Sequence, residues 1–241
     1  MWRWLREASR RVFLIAMLLG WVAIAWASLP YFDPEVLAPF VIEKLPVRFE
    51  ALWLASLKVH VASAALSFPL CLALMTRMLQ RRPQLHRWLG RLTAACVLLA
   101  LVPSGVVLAF DAKGGSWVTA GFLLSGAIVL ACMIGGIRAA RRRDLVSHGR
   151  AMRHVVAQMS VAVSSRALIV GLDSAGFDPE FSYVVALWVP VLGSAVVAEL
   201  ISRRPGVFSP FSTLHRIHRD VSSFALVRVR SLGRPVPRLG R

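Results

Sequence analysis

Apolar residues in this chain do not alternate with polar ones, nor do they recur on one face of a helix. They run on in six long blocks, parted by short stretches rich in arginine, aspartate, glycine and proline. A helix rises ~1.5 Å per residue and the hydrocarbon layer of a bilayer is ~30 Å thick, so about twenty apolar residues cross it with every backbone group bonded internally. The blocks predict spans at 12–29, 55–75, 88–110, 117–137, 151–172 and 183–201. The expected fold class is therefore all-α, a polytopic transmembrane helical bundle over 12–201. A basic segment, 1–11, precedes it and a basic, poorly ordered tail, 202–241, follows it. The first block has the basic start and small-residue end of a secretory signal, but its apolar part exceeds the ~7–15 residues of a signal core, which favours an uncleaved anchor.

Composition agrees: 57% of the 241 residues are hydrophobic, against roughly 45–50% in soluble domains. The formal net charge of +17 would suit nucleic acid if it lay along one surface. It lies instead in the connections, which removes that reading. Twenty-four arginines fall before the first span, between Arg77 and Arg91, between Arg138 and Arg153, and after Ile201. The alternate connections hold Lys44, Arg48, Lys58 and Lys113 and eight of the twelve acids. Lys and Arg are retained in the cytoplasm during insertion, so the arginine-rich side, with both termini, is predicted to be cytoplasmic and in contact with anionic headgroups. Trp88, Trp117 and Tyr183 stand at predicted boundaries, where amphipathic rings prefer to lie.

Ionisable groups inside a span cost about 2.5–3.5 kcal/mol for a central arginine, so each needs a partner or a use. Arg166 either snorkels, or pairs with Asp173, or grips an anionic group such as a heme propionate or a lipid phosphate. His60 lies at a similar depth in the second span and is either a hydrogen-bonding histidine, an iron ligand or a proton acceptor for a quinone. His86 and His154 open the third and fifth spans on the arginine-rich side, with His148 as a substitute for His154. Helix starts at one level can converge on one b-type heme, because imidazole suits iron; otherwise these histidines face headgroups. Glu199 has Arg203 one turn on, a spacing for a local ion pair. His215 and His218 share a ligand-like spacing but sit in the tail. Cys71, Cys96 and Cys132 lie in apolar blocks with no C-x-x-C spacing, so neither a disulfide framework nor a zinc site is expected. Walker, G-x-S-x-G and H-E-x-x-H motifs are missing, which argues against a soluble-type hydrolase or an ATP-driven pump.

The order of these residues resembles a family. His60, the stretch His86 to Arg91 (HRWLGR), Gly114, Gly115, Gly121 and Phe122, His148 with Met152, Arg166, and Ala198 with Glu199 are similar to the pattern of bacterial membrane proteins grouped as domain of unknown function 2306. The resemblance spans roughly 60–199 and implies a multi-span protein of the bacterial inner membrane without supplying an activity. The chain departs from the pattern at Phe68 to Cys71, Ala151 and His154. A weaker likeness is to the transmembrane b-type cytochromes, which hold two hemes by histidine pairs. The fourth block here has no histidine, leaving at most one heme, through His86 and His154. Two functions are thus expected of the residues: a transmembrane redox protein binding a heme or quinone through His60, His86, His154 and Arg166, or a cofactor-free membrane component or small-solute carrier. Whether it is an enzyme stays open, and beyond a heme iron no metal is expected.

Overall fold

The computed structural model describes residues 2–33 and 38–203, the side chains of residues 2–7 excepted. Every regular element among them is helical. In chain order these are α1 (Trp2–Ala27), a 3-10 turn (Leu29–Phe32), α2 (Pro39–Lys44), α3 (Glu50–Leu74), α4 (Arg77–Gln80) and α5 (Pro83–Cys96). A π turn (Val97–Leu101) joins α5 to α6 (Val102–Phe110); α7 (Gly115–Arg141), α8 (Leu145–Met159), α9 (Val161–Ser174) and α10 (Pro179–Arg203) follow. Six helices are long and apolar enough to cross a membrane: α1 from Ala8, α3, α5 continued by α6, α7, α8 continued by α9, and α10. The tail expected beyond Arg203, with His215 and His218, lies outside the described residues.

Most helices run several residues beyond their apolar blocks, since a helix that has satisfied its backbone gains nothing by unwinding at the lipid boundary. Between the first two spans stands a separate short helix, Pro39–Lys44, and Glu50 onward is the first turns of α3. Pro83 opens α5, where its missing N–H costs nothing. The second span stops at Leu74, and Thr76 caps the short α4 by accepting from the Leu79 N–H at 3.4 Å.

The bundle has two chemically distinct ends. At the arginine-rich end Arg10 donates to the Met75 carbonyl, tying α1 to α3. At the other, Lys44 Nζ donates to the Asp111 carbonyl at 2.5 Å and Lys113 pairs with Glu43. Between them Phe68, Cys71 and Leu72 of α3, Val97, Val129 and Met133 of α7, and Val155, Val156 and Met159 of α8 form the main core. A smaller cluster of Ala38, Val41, Trp53 and Leu57 closes the acidic end.

Two spans are interrupted near mid-depth. The π turn breaks the third; α8 gives way to α9 at Ser160, whose hydroxyl donates to the Val156 carbonyl at 2.8 Å, back-bonding that bends helices. α10 and α3 stay helical through Pro190 and Pro69. In α3, Pro69 removes the N–H that would bond the Ala65 carbonyl. Trp21 of α1 fills that position, its Nε1 donating to Ala65 O at 3.1 Å. The α7–α8 turn needs a left-handed residue, and Arg143 supplies it with φ 60°. The Asp144 N–H bonds Ala139 O at 2.9 Å and the Arg143 N–H bonds Ala140 O at 3.1 Å, the double closure of a Schellman motif.

Candidate functional site

At the arginine-rich end, α8 carries the functional groups on two faces. Asp144 starts it by accepting from the Ser147 N–H at 3.0 Å. Helical spacing then places His148 and Met152 toward α7, where Gly136 admits them: a Cβ on Gly136 would come within 2.3 Å of Met152 Cε. His148 Nδ1 lies 2.9 Å from the Gly136 carbonyl. A carbonyl only accepts, so Nδ1 carries the proton and Nε2 keeps its lone pair. His86, fourth residue of α5, is half-buried, and its Nδ1 is buried with no hydrogen-bond partner.

His154 points elsewhere. Its Nε2 is 3.3 Å from Glu199 Oε2 on α10. Glu199 also takes a two-pronged contact from Arg150, with Nε to Oε2 at 3.2 Å and Nη2 to Oε1 at 2.5 Å, and Arg203 Nε donates to Oε1 at 2.8 Å. The local pair with Arg203 is visible in the sequence; Arg150 and His154 arrive from another helix. Beside them Arg153 Nε donates to Ser202 Oγ at 2.9 Å. The structure thus turns His154 into the junction of α8 with α10 and leaves His86 and His148 near the starts of α5 and α8.

In the half nearer the acidic end, His60 of α3 meets the end of the π turn. Its Nδ1 is 3.2 Å from the Leu101 carbonyl and 3.3 Å from Ser104 Oγ. The Ser104 hydroxyl already donates to the Ala100 carbonyl at 2.6 Å, so Nδ1 is again the donor and Nε2 the lone-pair nitrogen. Gly105 lets the ring in: a Cβ there would lie 3.1 Å from His60 Cε1. Arg166 is exposed and donates from Nη1 to the Ala162 carbonyl one turn back, at 2.9 Å.

One buried polar residue escapes a reading that looks only for titratable groups. Gln158 accepts from Ser125 Oγ at 2.9 Å and donates to the Val191 carbonyl at 3.0 Å and to Ser194 Oγ at 3.1 Å, joining α7, α8 and α10 beside the Ser160 break. An amide within an apolar block is the signal that would have found it.

Among the described residues no group of three or more His, Cys, Asp or Glu is arranged to hold a metal ion. A heme asks less, since two axial imidazoles hold its iron. The model of a family described as "Predicted membrane protein (DUF2306)" matches residues 57–202, a stretch that contains all six of the residues His60, His86, His148, His154, Arg166 and Glu199. Neither a curated protein nor a solved structure matches the chain.

Proposed function

Because the chain belongs to the domain of unknown function 2306 family of predicted membrane proteins, we propose that it is a multi-span redox protein of the bacterial inner membrane carrying one b-type heme between His86 and His148. One observation carries this reading: the Nδ1–H of His148 is held by the Gly136 carbonyl, leaving Nε2 for iron, while the buried Nδ1 of His86, at the same arginine-rich end, has no partner. Imidazoles that bind metals commonly have the other ring nitrogen fixed by a carbonyl, which sets tautomer and orientation. A bound heme supplies a one-electron iron couple. The residues of the chain hold and orient it, and the arginine excess of this end suits both the anionic propionates and, on the cytoplasmic side, anionic lipid headgroups.

The test is spectroscopic. Detergent-purified protein from heme-sufficient cells is expected to show a reduced-minus-oxidised Soret and α-band difference at about one heme per chain. That signal should disappear in His86→Ala and His148→Ala and persist in His154→Ala. A colourless protein, or heme retained by both of the first two variants, removes the heme reading.

A cofactor-free carrier for a small solute is a second reading, favoured by the mid-depth interruptions at the π turn and at Ser160, close in the chain to buried Gln158. Carriers use interrupted helices at such sites. It requires solute flux in proteoliposomes that Gln158→Leu abolishes.

A further inference from the structure

At the α8–α10 junction cations outnumber the anion that serves them. Glu199 is the one carboxylate paired there among the described residues, and both its oxygens are full. Oε1 takes Arg150 Nη2 and Arg203 Nε; Oε2 takes Arg150 Nε and His154 Nε2. A carboxylate has about four lone-pair positions, so it has none left for another cation. Arg153, one turn on from Arg150 and half-buried, turns to a neutral acceptor instead. Its Nε donates to Ser202 Oγ at 2.9 Å, and Ser202 Oγ donates onward to the Ala198 carbonyl at 2.6 Å. Arg150, Arg153 and Arg203 thus share a single negative charge, and no carboxylate among the described residues pairs with Arg153. A half-buried charge with no counterion is costly, so the position calls for an anion.

We propose that Arg153 and Arg203 hold the phosphate of an anionic phospholipid whose acyl chain lies along α10. Both arginines present Nη donors that no described residue takes. Glu199 and Ser202, the acceptors of Arg203 Nε and Arg153 Nε, stand three residues apart on α10, which anchors the two guanidiniums within about one helical turn of each other. A phosphate has oxygens enough for both forks, and guanidinium matches it in two-pronged fashion. The surface beside them favours a lipid over free phosphate. Val196, Leu200 and Arg203 follow i, i+4, i+7 spacing on one face of α10, and the two apolar residues are 57% and 55% exposed. This stripe leads from the guanidinium toward mid-membrane and suits a molecule with a phosphate head and an apolar tail. Free phosphate would use the arginines and leave the stripe idle. The inference rests on the headgroup reading of this end and does not require the heme.

The experiment titrates delipidated, detergent-purified full chain with phosphatidylglycerol, phosphatidylcholine or inorganic phosphate, counting retained lipid by native mass spectrometry and following the midpoint of thermal unfolding. One phosphatidylglycerol retained per chain, with a raised midpoint, is expected, and phosphatidylcholine should bind more weakly. Arg153→Gln, which keeps a donor for Ser202, should weaken phosphatidylglycerol about tenfold, and so should Arg203→Gln; either decides the matter if the other does not fold. Arg81→Gln removes the same charge from an exposed position at the same end and should leave the titration unchanged. Equal weakening by Arg81→Gln and Arg153→Gln removes the site while leaving a general attraction of this end for headgroups. Phosphatidylglycerol binding no tighter than phosphatidylcholine removes both, and a midpoint raised equally by inorganic phosphate overturns the lipid assignment. His86→Ala, which tests the heme, should not alter the titration, so the two ideas fail separately.

Discussion

Arg143 shows how a single residue can be locally unfavourable and still be tolerated. Its φ of 60° is the left-handed conformation that glycine adopts freely, and a Cβ there costs roughly 1 kcal/mol. Because the Arg143 side chain is exposed, Arg143→Gly is expected to raise stability by up to about 1 kcal/mol, read as a higher midpoint in detergent-based thermal unfolding. Histidine roles belong to this scale too. His60 is legible as a costly group in an apolar block and His148 as a histidine of the arginine-rich side, but their tautomers follow from the Leu101 and Gly136 carbonyls, which no spacing reveals. At the acidic end, the Lys113 ammonium donates to Glu43 and holds that carboxyl below its ordinary 4.5. A depressed carboxyl contributes stability above its unfolded value and loses it as pH falls through the lower folded value. Melting temperature should therefore drop a little less between about pH 5 and about pH 3 in Lys113→Gln than in the parent.

At the scale of elements, the interruptions explain how helices recognise one another in a solvent that gives little hydrophobic drive. Pro69 frees the Ala65 carbonyl and Trp21 of α1 takes it. Trp21→Phe should cost about 1 kcal/mol in the parent and distinctly less in a Pro69→Ala background, where the backbone N–H returns. A double-mutant cycle on unfolding measures the difference, and equal costs in both backgrounds would show that the bond contributes nothing. Gln158 links three helices at once, and Gln158→Leu should destabilise by about 1–2 kcal/mol, in keeping with interhelical hydrogen bonds in membranes. The sequence exposes Pro69, but the carbonyl it frees finds its partner only when helices distant in the chain pack together.

For the whole molecule, the separation of charge makes a prediction about placement. If the arginine-rich end is cytoplasmic, a cysteine at exposed Val146 should react with a membrane-impermeant maleimide only after lysis, and one at exposed Gly176 should react in cells whose outer barrier has been opened. The reverse pattern would invert the topology and move the histidine pair at that end to the opposite side. The same end holds the α8–α10 junction, where Glu199 gathers Arg150, His154 and Arg203. Glu199→Gln should loosen that junction while leaving any heme on His86 and His148 in place, since His148 bonds α7 and His86 stands on α5.

Apolar run length and the arginine pattern by themselves determined the class of fold, the number of spanning helices and the chemical contrast between the two ends. They suffice because lipid imposes one rule on every segment: satisfy the backbone internally and keep charge at the ends. Tertiary structure alone decided what each histidine meets. His148 and His154 are six residues apart on α8 and look interchangeable in the sequence, yet a turn of ~100° per residue sends them to different neighbours, one to Gly136, the other to Glu199. Helix rotation is set by small residues such as Gly20, Gly121 and Gly136 admitting side chains from other helices, and that fit exists only once the helices are side by side.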